Sequence, residues 1–113
     1  MKLKILSALL LVAILSSTAF AALPSVTMLS TKSCPACAQM SKVLEKISKD
    51  YKGKISTSHI YLEQNPDVAK KYNVRYVPTL IFKDASGKEV AFEVGYRSLE
   101  DVLRIFEEAG VKI

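Results

Sequence analysis

Two periodicities run along this chain, and the places where one gives way to the other mark out its elements. Val26-Thr27-Met28-Leu29-Ser30-Thr31 is short, apolar and β-branched and ends in a polar bend, which predicts a central strand. From Pro35 to Asp50 the apolar residues Met40, Val43, Leu44 and Ile47 recur at i, i+3, i+4 and i+7, with Lys42, Glu45, Lys46 and Lys49 elsewhere. That spacing predicts an amphipathic helix laid on a sheet and stopped near Gly53, with the Met40 sulfur filling core rather than binding a metal. Ile55 to Leu62 alternates, placing Ser56, Ser58, Ile60 and Leu62 on one face and Ile55, Thr57, His59 and Tyr61 on the other. It reads as a second strand, parallel to the first through a right-handed crossover.

Asn65-Pro66 has the form of an N-cap followed by proline at the first helical position, opening a short helix that Asn73 can end. Val77-Pro78 breaks the chain again. Thr79 to Phe82 predicts an apolar strand, Asp84-Ala85-Ser86-Gly87 a turn, and Glu89 to Val94 an alternating strand with Val90, Phe92 and Val94 inward. After Gly95, Ser98 caps a last helix marked by Leu99, Val102, Leu103 and Phe106, with Glu100 and Asp101 in its first turn and Gly110 at its end. The order β-α-β-α-β-β-α predicts an α/β fold: one four-stranded mixed sheet with helices on both faces.

The N-terminus changes where this domain is expected to work. Lys2 and Lys4 precede an apolar run from Ile5 to Leu15, then Ser16-Ser17-Thr18 and the small-residue pattern Ala19-Phe20-Ala21, the layout of a secretory signal peptide over residues 1–21. The run is short of the roughly 20 residues that span a bilayer, so cleavage after Ala21 is expected. That leaves residues 22–113 as one domain in the periplasm or another extracytoplasmic compartment. Without Lys2 and Lys4, 14 of the 16 basic residues remain against 11 acids, a charge of +3 rather than +5. The lysines are scattered among acids along helix faces, a solvated surface and not a nucleic-acid footprint.

Cys34-Pro35-Ala36-Cys37 holds the only two cysteines, set between the first strand and the first helix. With Cys34 at the N-cap and Pro35 at the first helical position, the helix's unpaired N–H groups face the Cys34 sulfur and favour its thiolate, below the free pKa of about 8.5. Cys34 is then the nucleophile. Cys37, one turn further in, is shielded and placed to resolve a mixed disulfide at Cys34. A structural zinc site usually takes four ligands, and the chain offers only His59 besides. Haem attachment needs a histidine where Ala38 stands, and an inert bridge across so small a loop constrains the unfolded chain little.

These residues together resemble the thioredoxin superfamily: a strand leading into C-x-x-C at a helix start, then Gln64-Asn65-Pro66, then Tyr72-Asn73-Val74-Arg75-Tyr76-Val77-Pro78-Thr79-Leu80, then Gly95. The match runs from about Val26 to the C-terminus. It implies a cis Val77-Pro78 bond whose loop lies beside Cys34 and pairs with an extended substrate. Relative to that family the domain looks trimmed, with few residues before its first strand. Ser33 stands in place of tryptophan, and Pro35-Ala36 in place of Gly-Pro; proline directly after the first cysteine is the arrangement of glutaredoxins and periplasmic disulfide oxidases. Met28 occupies the position of the family's buried acid, which removes the usual proton acceptor for Cys37. His59 aligns with a buried lysine near that acid and is a candidate proton relay, set against a half-exposed strand histidine of no special role.

The leading expectation is an exported thiol–disulfide oxidoreductase, monomeric and without cofactor or metal, that acts on protein thiols and disulfides. A membrane-bound redox donor or acceptor would recharge it. With no charge inside the motif and none at Met28, its potential is expected between thioredoxin's, about −270 mV, and the strongest periplasmic oxidant's, about −120 mV. Two other classes compete: a periplasmic carrier holding a soft ion such as Cu(I) between the thiolates, and a redox-inert adaptor of the same fold.

Overall fold

β1 (Ser25–Ser30) is the strand on which the sheet assembles, because both of its edges are paired. On one side lies β2 (Ser56–Tyr61), parallel, with Met28 opposite His59 and Ser30 opposite Tyr61. On the other lies β3 (Thr79–Lys83), antiparallel, with Met28 opposite Leu80. β4 (Glu89–Val94) pairs antiparallel with β3, giving the order β2-β1-β3-β4. This is a computed structural model, and it describes residues 22–113; the signal-peptide reading of residues 1–21 lies outside them.

A parallel β1–β2 pair requires a crossover, which is α1 (Pro35–Asp50). Its apolar stripe of Met40, Leu44 and Ile47 is buried against Val26 and Met28 of β1 and Leu80 and Phe82 of β3. Each such side chain contributes about 1.5–3 kcal/mol by leaving water. The helix ends at Tyr51, and Gly53 follows at φ 79°, a left-handed conformation that glycine adopts without a Cβ clash. α2 (Pro66–Lys71) is short and has no buried residue. α3 (Leu99–Glu108) returns to the side of α1, where Val102 and Phe106 enter the same core and the Phe106 ring meets Phe82 edge-on at 5.2 Å. The Ser98 hydroxyl accepts the Asp101 N–H at 3.1 Å while the Asp101 carboxylate accepts the Ser98 N–H at 3.3 Å, a complete capping box.

Two local expectations fail. Phe92 and Val94 do not point inward: they are 41% and 43% exposed, while Val90 packs on the core as expected and Ala91 joins it. The register shifts between Phe82 and Lys83, so that Phe82 faces Ala91 and Lys83 faces Glu89, with Val90 as the extra residue of a bulge. One inserted residue hands the rest of the strand to the opposite face. Asn65 does sit at the N-cap of α2, but its side chain donates to the Tyr61 carbonyl at 3.0 Å and makes no capping bond. It fixes the β2–α2 connection rather than the helix end.

Candidate active site

Cys34 is the N-cap of α1, with extended backbone at φ −132° and ψ 102° and proline directly after it. The proline gives up no hydrogen bond there, since the first-turn N–H groups have no helical partner. One of those groups, the Cys37 N–H, donates to the Cys34 sulfur at 3.1 Å. No acidic residue sits in the first turn of α1 to oppose negative charge on that sulfur. The helix terminus and this N–H therefore stabilise a thiolate at Cys34. Cys37 faces the core at 3% exposure, packed with Met28 and Met40. The two are joined as a disulfide with their Cα atoms 5.1 Å apart, inside the range that permits the bond.

Behind the pair opens a cleft of about 340 Å³, lined among others by Ser30, Lys32, Cys34, Cys37, His59 and Tyr61. The structure thus brings His59 to the same cleft as both cysteines. Its ring is largely exposed, stacks at 4.4 Å on Tyr61, and is hydrogen-bonded through Nε2 to the hydroxyl of Ser30. Partial desolvation lowers the His59 pKa below its ordinary 6.5, which favours the neutral ring at pH 7. Met28, its partner across the strands, is wholly buried and carries no proton acceptor.

Val77 and Pro78 do not line that cleft. Their peptide bond is cis, Pro78 is buried, and Val77 packs at the margin of the core, as Cys34 does. The Pro78 carbonyl accepts the Gly95 N–H at 2.8 Å, and Thr79 Oγ1 donates to the Tyr76 carbonyl at 2.7 Å, so the loop is braced at both ends. Tyr76, immediately before Val77, is 71% exposed.

Two site residues had no signal in the sequence. Ser30 is fully buried, yet a serine closing an apolar strand looks like the start of a loop until β2 is laid beside it. Glu63 accepts the Lys32 N–H at 2.8 Å and so ties the segment before Cys34 to the end of β2. That bond is the main reason its carboxyl titrates below the usual 4.5.

A mixed sheet with a cysteine pair at disulfide distance, opening the helix that crosses between its parallel strands, is the framework of a thiol–disulfide oxidoreductase in the general sense. The chain belongs to the thioredoxin-like domain family, whose model matches residues 18–110. It is similar to thioredoxin of Staphylococcus aureus, 36% identical over 76 residues, which cover 66% of this chain and 71% of that one. Among solved structures it resembles a thioredoxin-like protein from Clostridium perfringens, with 33% identity, a TM-score of 0.69, and 83% of this chain and 76% of that chain covered. It also resembles thioredoxin-2, a component of malaria parasite protein secretion machinery, with 26% identity and a TM-score of 0.69 over 77% of this chain and 84% of that one.

Proposed function

We propose that this protein exchanges disulfides with cysteine-bearing protein segments outside the cytoplasm, with Cys34 as nucleophile and Cys37 as resolving thiol. The observation that carries the reading is the asymmetry of the pair. Cys34 is partly exposed with a helix N–H on its sulfur, whereas Cys37 is 3% exposed. In the reducing direction the Cys34 thiolate attacks a substrate disulfide, one substrate sulfur leaves as thiolate, and a mixed disulfide forms. Cys37 then attacks Cys34, the Cys34–substrate bond breaks, and the pair holds the bridge while the substrate has gained two electrons. The oxidising direction is the reverse.

Protein segments are the favoured substrates because the loop before β3, which the likeness to thioredoxins sets beside Cys34, carries an exposed aromatic, Tyr76, next to Val77 and Pro78. Export rests on Lys2, Lys4 and the apolar run from Ile5 to Leu15, and a membrane-bound donor or acceptor recharges the pair. Insulin reduction with dithiothreitol tests the chemistry. The parent accelerates it, Cys34→Ser abolishes the acceleration, and Cys37→Ser accumulates mixed disulfides visible on non-reducing gels. Acceleration that survives in Cys34→Ser overturns the assignment.

A further inference from the structure

Cys37 poses a chemical problem that the exchange cycle leaves open. To attack Cys34 it must lose a proton, yet it is 3% exposed and the neighbouring strand position, Met28, has no lone pair to offer beyond a thioether. The charged and titratable groups around the cleft are Lys32 before α1, Lys42 and Glu45 on α1, and His59 and Tyr61 on β2. The protonated lysines have no lone pair to accept with. Glu45 lines the same cleft but is exposed to solvent, unlike the shielded Cys37. Among the described residues Ser30 alone is polar, fully buried and part of the cleft wall, on the same side of β1 as Met28. Its hydroxyl is bonded to Nε2 of His59, whose ring reaches water.

We propose that Ser30 and His59 form a proton path through which the shielded Cys37 exchanges its proton with solvent as it resolves the mixed disulfide. The inference rests on the Cys34–Cys37 exchange proposed above. Ser30 Oγ takes the Cys37 proton while passing its own to His59 Nε2, and the imidazolium sheds a proton to water. The Cys37 thiolate forms the bond to Cys34, and the electron pair of the broken Cys34–substrate bond leaves on the substrate sulfur. Protons and electrons balance with no further reagent. Nε2 must be unprotonated at the start, which the lowered pKa of His59 favours at neutral pH. Resolution therefore holds its rate near pH 7 and falls as pH drops through a value below 6.5.

The test is stopped-flow reaction of the reduced protein with one equivalent of dithiobis(nitrobenzoate). A first coloured thiolate is released as Cys34 attacks and a second as Cys37 resolves, so the first phase is an internal reference. For the parent, the second-phase rate constant should fall with an inflection below pH 6.5, and at any one pH its ratio to the first-phase rate compares the variants. His59→Ala, His59→Gln and Ser30→Ala should each lower that ratio at pH 7 by about tenfold or more. They should also replace the inflection with a steady rise toward the ordinary thiol range. The glutamine variant is decisive, because its amide can bond Ser30 but cannot carry the proton. Restoration of the parent's ratio by glutamine to within twofold shows a structural role and overturns the proposal. Should a variant fail to fold, a parent second-phase rate constant flat from pH 5 to 8 overturns it equally. Absence of any second phase in the parent instead refutes the exchange reading itself, and the proton path with it.

Discussion

Phe106 on α3 is wholly buried and meets Phe82 edge-on, whereas Phe92 on β4 is 41% exposed on the far side of the bulge. Truncating a buried phenylalanine to alanine costs about 3–5 kcal/mol, the lost transfer energy plus the cavity left behind. A domain of this size has roughly 5–14 kcal/mol in total, so Phe106→Ala removes a large share. Its Tm should drop by at least about 12 °C, at roughly 4–8 °C per kcal/mol. Phe92→Ala, with much of its ring already in water, should cost about 1 kcal/mol or less. Urea and thermal denaturation of the oxidised protein, followed by far-ultraviolet circular dichroism because the chain has no tryptophan, measure both. If Phe92→Ala destabilises as much as Phe106→Ala, the register at Phe82 and Lys83 is wrong and β4 faces inward after all.

Ser98→Ala removes half of the capping box on α3 and should cost about 1 kcal/mol in the same denaturation experiment. Asp101 supplies the other half, and its hydrogen bonds with Ser98 hold its pKa below 3.8. A depressed carboxylate stabilises the fold above its unfolded pKa and loses that effect as pH falls through the folded value. Asp101→Asn should therefore unfold at lower urea than the parent at pH 7 and converge with it well below pH 3.8, and a gap that persists in acid contradicts the capping role. Tyr76→Ala should raise the KM for a protein substrate roughly fivefold, and more than for a small disulfide, if the exposed ring contacts the polypeptide. Equal changes for both substrates remove Tyr76 from recognition.

The features legible in the sequence are those set by neighbours along the chain. The 3.6-residue stripe of Met40, Leu44 and Ile47, the Ser98 cap and the placement of Cys34 at a helix start all depend on contacts within one or two turns. The misread features depend on partners outside the element itself. A bulge is a property of two strands, so nothing between Glu89 and Val94 alone reveals that Val90 is the extra residue. Asn65 fits a cap by type, but the Tyr61 carbonyl four residues earlier competes for its side chain and wins. Ser30 gains its place in the site only because parallel pairing with β2 brings His59 alongside it. The same pairing sets His59 opposite Met28, where sequence reasoning located an absent acid and named His59 as a candidate relay without Ser30.

The central claim is that the fold makes two chemically different thiols out of one C-x-x-C pair. It is tested most directly by treating the reduced protein with less than one equivalent of iodoacetamide at mildly acidic pH and locating the label by mass spectrometry. A helix N–H on the Cys34 sulfur and 3% exposure of Cys37 predict that Cys34 is carbamidomethylated first and Cys37 last. Equal labelling of the two, or labelling of Cys37 ahead of Cys34, contradicts the account.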